Sequence, residues 1–255
     1  MIHQIFKFLK HLVYFILGIS FIAIIVFFAT GNTFKYGRNP VVDTLDREGP
    51  YVFFESDSLF EIQYIKGDRT QGFEVEKRNV NTDTPTQINC FYPLDSCEFN
   101  VELNSNFDVP AATYMDSDKI LAISDFESNF KTMRDFLIQN NVINEQLEWQ
   151  FGTNHLVLVG DLIDRSYYTT QLLWFVYKLE QDAAKVGGRV HYILGNHEIL
   201  NMQGIHNYAK YKYQKVAEVF AKQQDDFYNK SSYLGRWLHS KNTMEVINGN
   251  LFVHG

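Results

Sequence analysis

The sequence predicts an α/β fold with a parallel sheet, preceded by a small β-rich segment and an N-terminal transmembrane helix. Three observations carry this prediction. Compact apolar runs at 119–124, 155–159 and 189–194 alternate with helical patterns, as buried parallel strands do. Short runs of alternating apolar and polar residues, separated by turn residues, fill 51–103. Residues 12–34 hold no charge at all. The 255 residues, 45% of them hydrophobic, suit one large domain or a small module beside a medium one, and exclude a disordered chain.

The elements follow in chain order. The apolar stretch from Leu12 to Ala29 is rich in Ile, Phe and Val. At about 1.5 Å per residue, roughly 20 such residues cross a hydrocarbon core about 30 Å thick. Residues 1–30 are therefore read as a single-pass membrane anchor. Lys7 and Lys10 precede the span and Lys35 and Arg38 follow it. First-helix behaviour then favours the N-terminus inside and the body outside the cytoplasm, on the periplasmic side. A cleaved signal peptide is the competing reading. Its apolar stretch normally runs about 7–15 residues to a small-x-small site, which Phe27-Phe28-Ala29-Thr30-Gly31 matches poorly.

Residues 31–48 are polar, contain Gly and Pro, and read as a linker. Candidate strands at 51–54, 59–65, 72–76 and 98–103 define an accessory module over 49–117. Cys90 and Cys97 flank a Pro-containing loop there, either as a local disulfide or as two ordinary thiols. From 118 onward the α/β pattern takes over. A run at 119–124 leads to a helical pattern through Phe130, Met133, Phe136 and Leu137. A second run at 155–159 precedes a helix near 168–185, and Gly187-Gly188 precedes the third run.

Charge and cysteine content exclude several functions. Residues 1–42 carry +4, leaving −11 of the net −7 on the other 213 residues. So acidic a body is a poor polyanion binder, and no nucleic-acid partner is expected. Two cysteines make neither a disulfide scaffold nor a cysteine-rich zinc module.

The chemistry lies at the strand ends. The first strand runs into Asp125-Phe126-Glu127, the second into Gly160-Asp161-Leu162-Ile163-Asp164-Arg165, and the third into Gly195-Asn196-His197-Glu198. A fourth apolar run ends in His254-Gly255. Taken alone, Asp125 and Glu127 read as a helix cap and a first-turn acid. Parallel strands, however, gather all these ends on one sheet edge, where ligand sites form. Hard oxygens mixed with imidazole suit Mn, Fe or Zn, and two bridged metals can clamp an in-line displacement at phosphorus.

GDLIDR (160–165), GNHE (195–198) and FVHG (252–255) resemble the second, third and fourth blocks of the calcineurin-like metallophosphoesterases. The stretches at 194–204 and 234–255 most resemble the Shewanella-like protein phosphatases. The resemblance covers 118–255 and implies a layered αββα sandwich. It also implies a further Gly-x-His block and further strands beyond Gly255, so the sandwich is expected to be incomplete here. The implied activity is metal-dependent hydrolysis of phosphomonoesters, phosphoproteins among the candidate substrates, by a metal-bound hydroxide at a dinuclear centre. Asp161 would bridge the two metals, Asp125 and Glu127 would hold the first, and Asn196 and His254 the second. Glu127 stands where the family has His. His197 would be the general acid, oriented by Asp164, with Arg165 stabilising charge and Glu198 structural, paired with an Arg. His155, His191, His206 and His239 are expected in ordinary structural roles. The implied cofactors are two divalent or trivalent ions (Mn, Fe or Zn), and the implied partners are a phosphorylated protein or small molecule and the membrane. A binding protein that keeps the fold without catalysis, and a nucleotide or dinucleotide polyphosphate hydrolase, remain alternative readings of the same residues.

Overall fold

The computed structural model describes residues 2–29, 44–68 and 70–255, so most of the expected linker, up to residue 43, lies outside the described residues. Helix α1 spans Ile2–Ala29 and includes a 22-residue apolar stretch, Phe6–Phe27, long enough to cross a membrane. A signal sequence near the N-terminus can meet the same length and composition criteria.

The remainder, from Pro40 onward, forms a second unit. Its first three strands, β1 (Tyr51–Ser56), β2 (Leu59–Asp68) and β3 (Gly72–Asn81), form an antiparallel sheet. A hairpin follows, of β4 (Thr86–Tyr92) and β5 (Cys97–Leu103). The sequence pattern does not single out β4. Its inward face is Thr86, Ile88, Cys90 and Tyr92, so half of its buried side carries residues that do not read as apolar. Cys90 pairs with Phe99 and Cys97 with Tyr92 across this hairpin, and both thiols are free.

The α/β part begins after the two-residue strand β6 (Thr113–Tyr114). Strands β7 (Ile120–Ile123), β8 (His155–Val159) and β9 (Arg189–Ile193) form a parallel sheet in that order. Between them run α2 (Phe130–Gln139) and α3 (Thr169–Ala184). Phe130, Met133 and Leu137 form the buried stripe of α2, and Asn129 caps it by accepting from the Thr132 N–H at 3.3 Å. Helices α4 (Asn196–Met202), α5 (Tyr211–Val219) and α6 (Tyr233–His239) follow, with a 3₁₀ turn at Gln224–Phe227. Strands β10 (Met244–Ile247) and β11 (Asn250–Val253) then close a second sheet of order β11-β10-β6.

Two apolar layers hold this arrangement. Val157, Ile193 and Ile247 are fully buried between the parallel sheet and the second sheet. On the opposite face, Leu156 and Leu158 join the larger core with α3 residues Leu172 to Val176 and with Ile88, Phe99 and Val101 of the β-rich segment. The β-rich segment and the α/β part therefore share one core. Full burial of each such side chain contributes about 1.5–3 kcal/mol.

A buried pair reinforces the join. Lys212 Nζ lies 2.8 Å from Glu48 Oε2, and both side chains are almost wholly inaccessible. Glu48 also accepts from Tyr51, Thr170 and Gln171, and Lys212 donates to the Tyr167 carbonyl. At the end of the sheet away from the strand C-termini, Asp116, His155, His191 and Glu245 form a continuous hydrogen-bonded chain joining the two sheets. His155 and His191 thus lie in the interior of this hydrogen-bonded chain, and ligand atoms of Asp116, Asp118 and His155 lie within 4.8 Å of one another.

Candidate metal and phosphoester site

The loops after β7, β8 and β9 meet because their backbones allow unusually close approach. A Cβ on Gly160 would fall 2.6 Å from Gly195 Cα and 2.8 Å from His254 Nδ1. One on Gly195 would fall 2.3 Å from Asp161 Oδ1. Neither position can hold a larger residue. The loops are also tied to each other: Asp125 N–H donates to the Gly160 carbonyl, Glu127 N–H to that of Asp161, and Ser128 N–H to that of Leu162. Asp125, Glu127, Asp161, Asp164 and Arg165 all have positive φ, between 48° and 70°. Left-handed backbone at so many non-glycine residues is costly, and it concentrates at functional sites.

These loops bring most of the sequence-predicted residues together. Ligand atoms of Asp125, Asp161 and His254 all lie within 4.8 Å of one another. His254 Nδ1 donates to the Val159 carbonyl at 2.7 Å, which fixes the tautomer and leaves Nε2 to face Asp161 Oδ1 at 3.3 Å. Burial opposes a charged His254, but the Val159 carbonyl and the Asp161 and Asp125 carboxylates outweigh it and raise its pKa. Two carboxylates and an imidazole with a free, inward-facing nitrogen are a donor set that fits a borderline transition-metal ion.

Beside this group stands a second one. His197 and Asp164 are buried, with Nδ1 of the imidazole 2.8 Å from Asp164 Oδ2. Arg165 Nη2 donates to His197 Nε2 at 3.1 Å, and Arg165 Nη1 pairs with Glu127 Oε1. Glu127 is thus turned toward Arg165 and is not part of the three-residue group. Asn196 is exposed as the first residue of α4. Asp125, Glu127, Asn129 and Arg165 line an open cleft of about 370 Å³.

Glu198 corrects one expectation. Its partners are not an arginine but the backbone N–H groups of Asp161, Leu162, Ile163 and Gly195, together with the Tyr192 hydroxyl. The carboxylate is therefore the peg on which the second and third loops hang. Burial pushes its pKa up despite these donors. The sequence reading also passed over Asn201, Tyr208 and Asp225. Asn201 lies four residues after His197, on the same face of α4, and that spacing is the available signal. Tyr208 is about half exposed, and its ring centroid lies 4.8 Å from that of His197.

The calcineurin-like phosphoesterase family model matches residues 118–255, more than half of the sequence. The chain belongs to this family. Its fold is the metallophosphoesterase fold, with mixed α/β sheets. Among curated relatives, Shewanella-like protein phosphatase 2 of Arabidopsis thaliana is 28% identical over 51% of this chain and 32% of its own length. Shewanella-like protein phosphatase 1 of Plasmodium berghei is 34% identical over 45% of this chain and 29% of its own. The chain thus spans about a third of the curated relatives it matches. Among solved structures, a cold-active protein-tyrosine phosphatase from a psychrophilic Shewanella species superposes with a TM-score of 0.69 and 26% identity. That match covers 82% of this chain and 60% of the other. The family is one of phosphoesterases, and it implies divalent metal ions.

Proposed function

We propose that this phosphoesterase hydrolyses phosphomonoesters, with phosphotyrosine side chains of proteins as its substrate class, at a dinuclear site. The observation carrying this reading is the Asp125–Asp161–His254 group lying beside the buried Asp164–His197 pair and Arg165. Asp125, Asp161 and His254 would hold metal, with Asn196 and Glu127 as the remaining ligands; Glu127 must leave Arg165 to take that role. When bound, Mn, Fe or Zn supplies positive charge against the phosphoryl oxygens and a water nucleophile available near neutral pH.

The chain's own groups do the rest. Arg165 presents a planar guanidinium to the phosphoryl group, exchanging its contact with Glu127 for one with substrate. That exchange also frees His197 Nε2, which now accepts from Arg165 and must instead carry a proton to the leaving oxygen. Asp164 holds the imidazole with Nδ1–H toward itself, so Nε2 is the nitrogen that faces the substrate. The half-exposed ring of Tyr208 beside His197 supports an aryl leaving group, in keeping with the protein-tyrosine phosphatase named among the structural relatives. Helix α1 would anchor the enzyme in a membrane, with the catalytic body outside the cytoplasm.

The test is hydrolysis of a phosphotyrosine peptide by the Mn-loaded protein and by His197→Ala and Asp164→Asn variants. Each substitution is expected to lower kcat by about a hundredfold or more. Unchanged kcat in both would remove His197 and Asp164 from the reaction.

A further inference from the structure

From the His197–Asp164 pair, a line of polar side chains runs to the protein surface. Asn201 Nδ2 donates to Asp164 Oδ2 at 2.8 Å and to the His197 carbonyl at 2.9 Å. Asn201 Oδ1 lies 2.8 Å from His206 Nδ1, and His206 Nε2 lies 2.6 Å from Asp225 Oδ1. Asn201 and Asp164 are each 1% exposed, the His206 side chain 14% and the Asp225 side chain 61%. The line therefore passes from the buried His197–Asp164 pair to solvent.

We propose that Asn201, backed by His206 and Asp225, is the positioning residue that fixes Asp164 and through it the acid–base tautomer of His197. This rests on the phosphatase reading of that pair.

The orientation of the Asn201 amide is forced by its surroundings. Its Nδ2 faces two acceptors, a carboxylate oxygen and a carbonyl, and turning the amide over would set Oδ1 against both. Oδ1 is thereby left to face His206 Nδ1 at 2.8 Å. Asp225 holds the His206 ring on its outer edge, and Tyr228 stacks on its face at 5.7 Å. Asp164 depends on this arrangement. Among the described residues its Oδ1 has no hydrogen-bond partner, so His197 and Asn201 supply both donors to a buried carboxylate through the single oxygen Oδ2. Without Asn201, the carboxylate can swing about its χ2 and the imidazole loses the acceptor that selects Nδ1–H. The residue acts on the proton delivered to the leaving oxygen, not on the Asp125–Asp161–His254 group.

The two roles, packing or acid positioning, separate by leaving group. A general acid matters most for a poor leaving group and least for a good one, whereas a general loosening of the site slows both alike. The experiment compares kcat/KM for phenyl phosphate and p-nitrophenyl phosphate in the wild type, Asn201→Leu and His206→Gln, with thermal unfolding measured in parallel. Asn201→Leu is expected to lower the phenyl-to-nitrophenyl ratio by about tenfold. His206→Gln, nearer the surface and folded even where Asn201→Leu is not, is expected to lower it by about threefold with metal content unchanged. Equal losses on both esters, or no loss in His206→Gln, would overturn the positioning role while leaving the phosphatase reading intact. A wild type that hydrolyses neither ester would overturn both.

Discussion

Glu198 shows how a single side chain can hold a site it does not enter. Its two oxygens take four backbone N–H groups from the loops that present Asp161 and Asn196. Removing the carboxylate leaves those buried donors without partners, each costing about 1–3 kcal/mol. Glu198→Ala is therefore expected to destabilise the protein by roughly 3–5 kcal/mol in denaturant unfolding, and Glu198→Gln by less, since its amide oxygen keeps part of the web. A loss below about 1 kcal/mol in Glu198→Ala would show that the loops stand without it. The thiols give a second residue-scale outcome. Burial raises the pKa of Cys90 and, more modestly, that of Cys97, so both are expected to react slowly with iodoacetamide when native and to titrate as two free thiols when unfolded. An unfolded-state count below two that a reductant restores to two would contradict the free state. At this scale the sequence was informative wherever chemistry sits in a short block: Asp125, Asp161, His197 and His254 stand out as polar residues ending apolar runs. The contacts of Asn201 with Asp164 and of Asp225 with His206 did not stand out, because these partners lie 37 and 19 residues apart in sequence and only the fold brings them together.

At the scale of elements, the parallel strands were legible because β8 and β9 are short runs of mainly apolar residues followed by turn residues. Strand β4 was not, because Thr86 and Cys90 occupy inward positions, and β6 is only two residues long. The shape of the loops was equally hidden. Nothing in the letters Asp-Phe-Glu or Asp-Leu-Ile-Asp-Arg announces positive φ at Asp125, Asp161 or Arg165; the neighbouring Gly160 and Gly195 give the only hint. The Glu48–Lys212 pair reinforces the packing of the β-rich segment against α3 and α5. Breaking a buried pair leaves one charge uncompensated, so Lys212→Met alone is expected to cost about 3–5 kcal/mol. Combining it with Glu48→Leu should recover part of that loss, because a well-packed apolar pair avoids desolvating both charges. Chemical denaturation of the three variants measures both effects, and an additive double variant would contradict the coupling.

At the scale of the whole molecule, carboxylates govern the response to acid. An Asn248 hydrogen bond holds Asp116 below its ordinary pKa, and Lys131 does the same for Asp135. Burial opposes ionisation of Asp182, but Lys178 and Lys185 outweigh it and lower its pKa. Folded-state values below the unfolded ones mean that these groups stabilise the fold above the unfolded carboxylate pKa of about 3.9, and that the contribution is lost as pH falls through the depressed values. These three groups are thus expected to make Tm fall as pH drops below about 4; a Tm that rises on acidification through that range would contradict the sign. The apolar helix α1 sets a second whole-molecule outcome. The protein should remain in the membrane pellet after alkaline carbonate extraction, and removal of residues 2–29 should release it. A full-length product in the supernatant would contradict anchoring. The central claim, that the Asp125–Asp161–His254 group is the metal-dependent heart of a phosphatase, is tested most directly by p-nitrophenyl phosphate hydrolysis in the wild type and Asp161→Asn, before and after chelation. The account predicts wild-type activity that chelation abolishes and added Mn restores, and a loss of about a hundredfold or more in Asp161→Asn. Activity that survives both chelation and the substitution would contradict it.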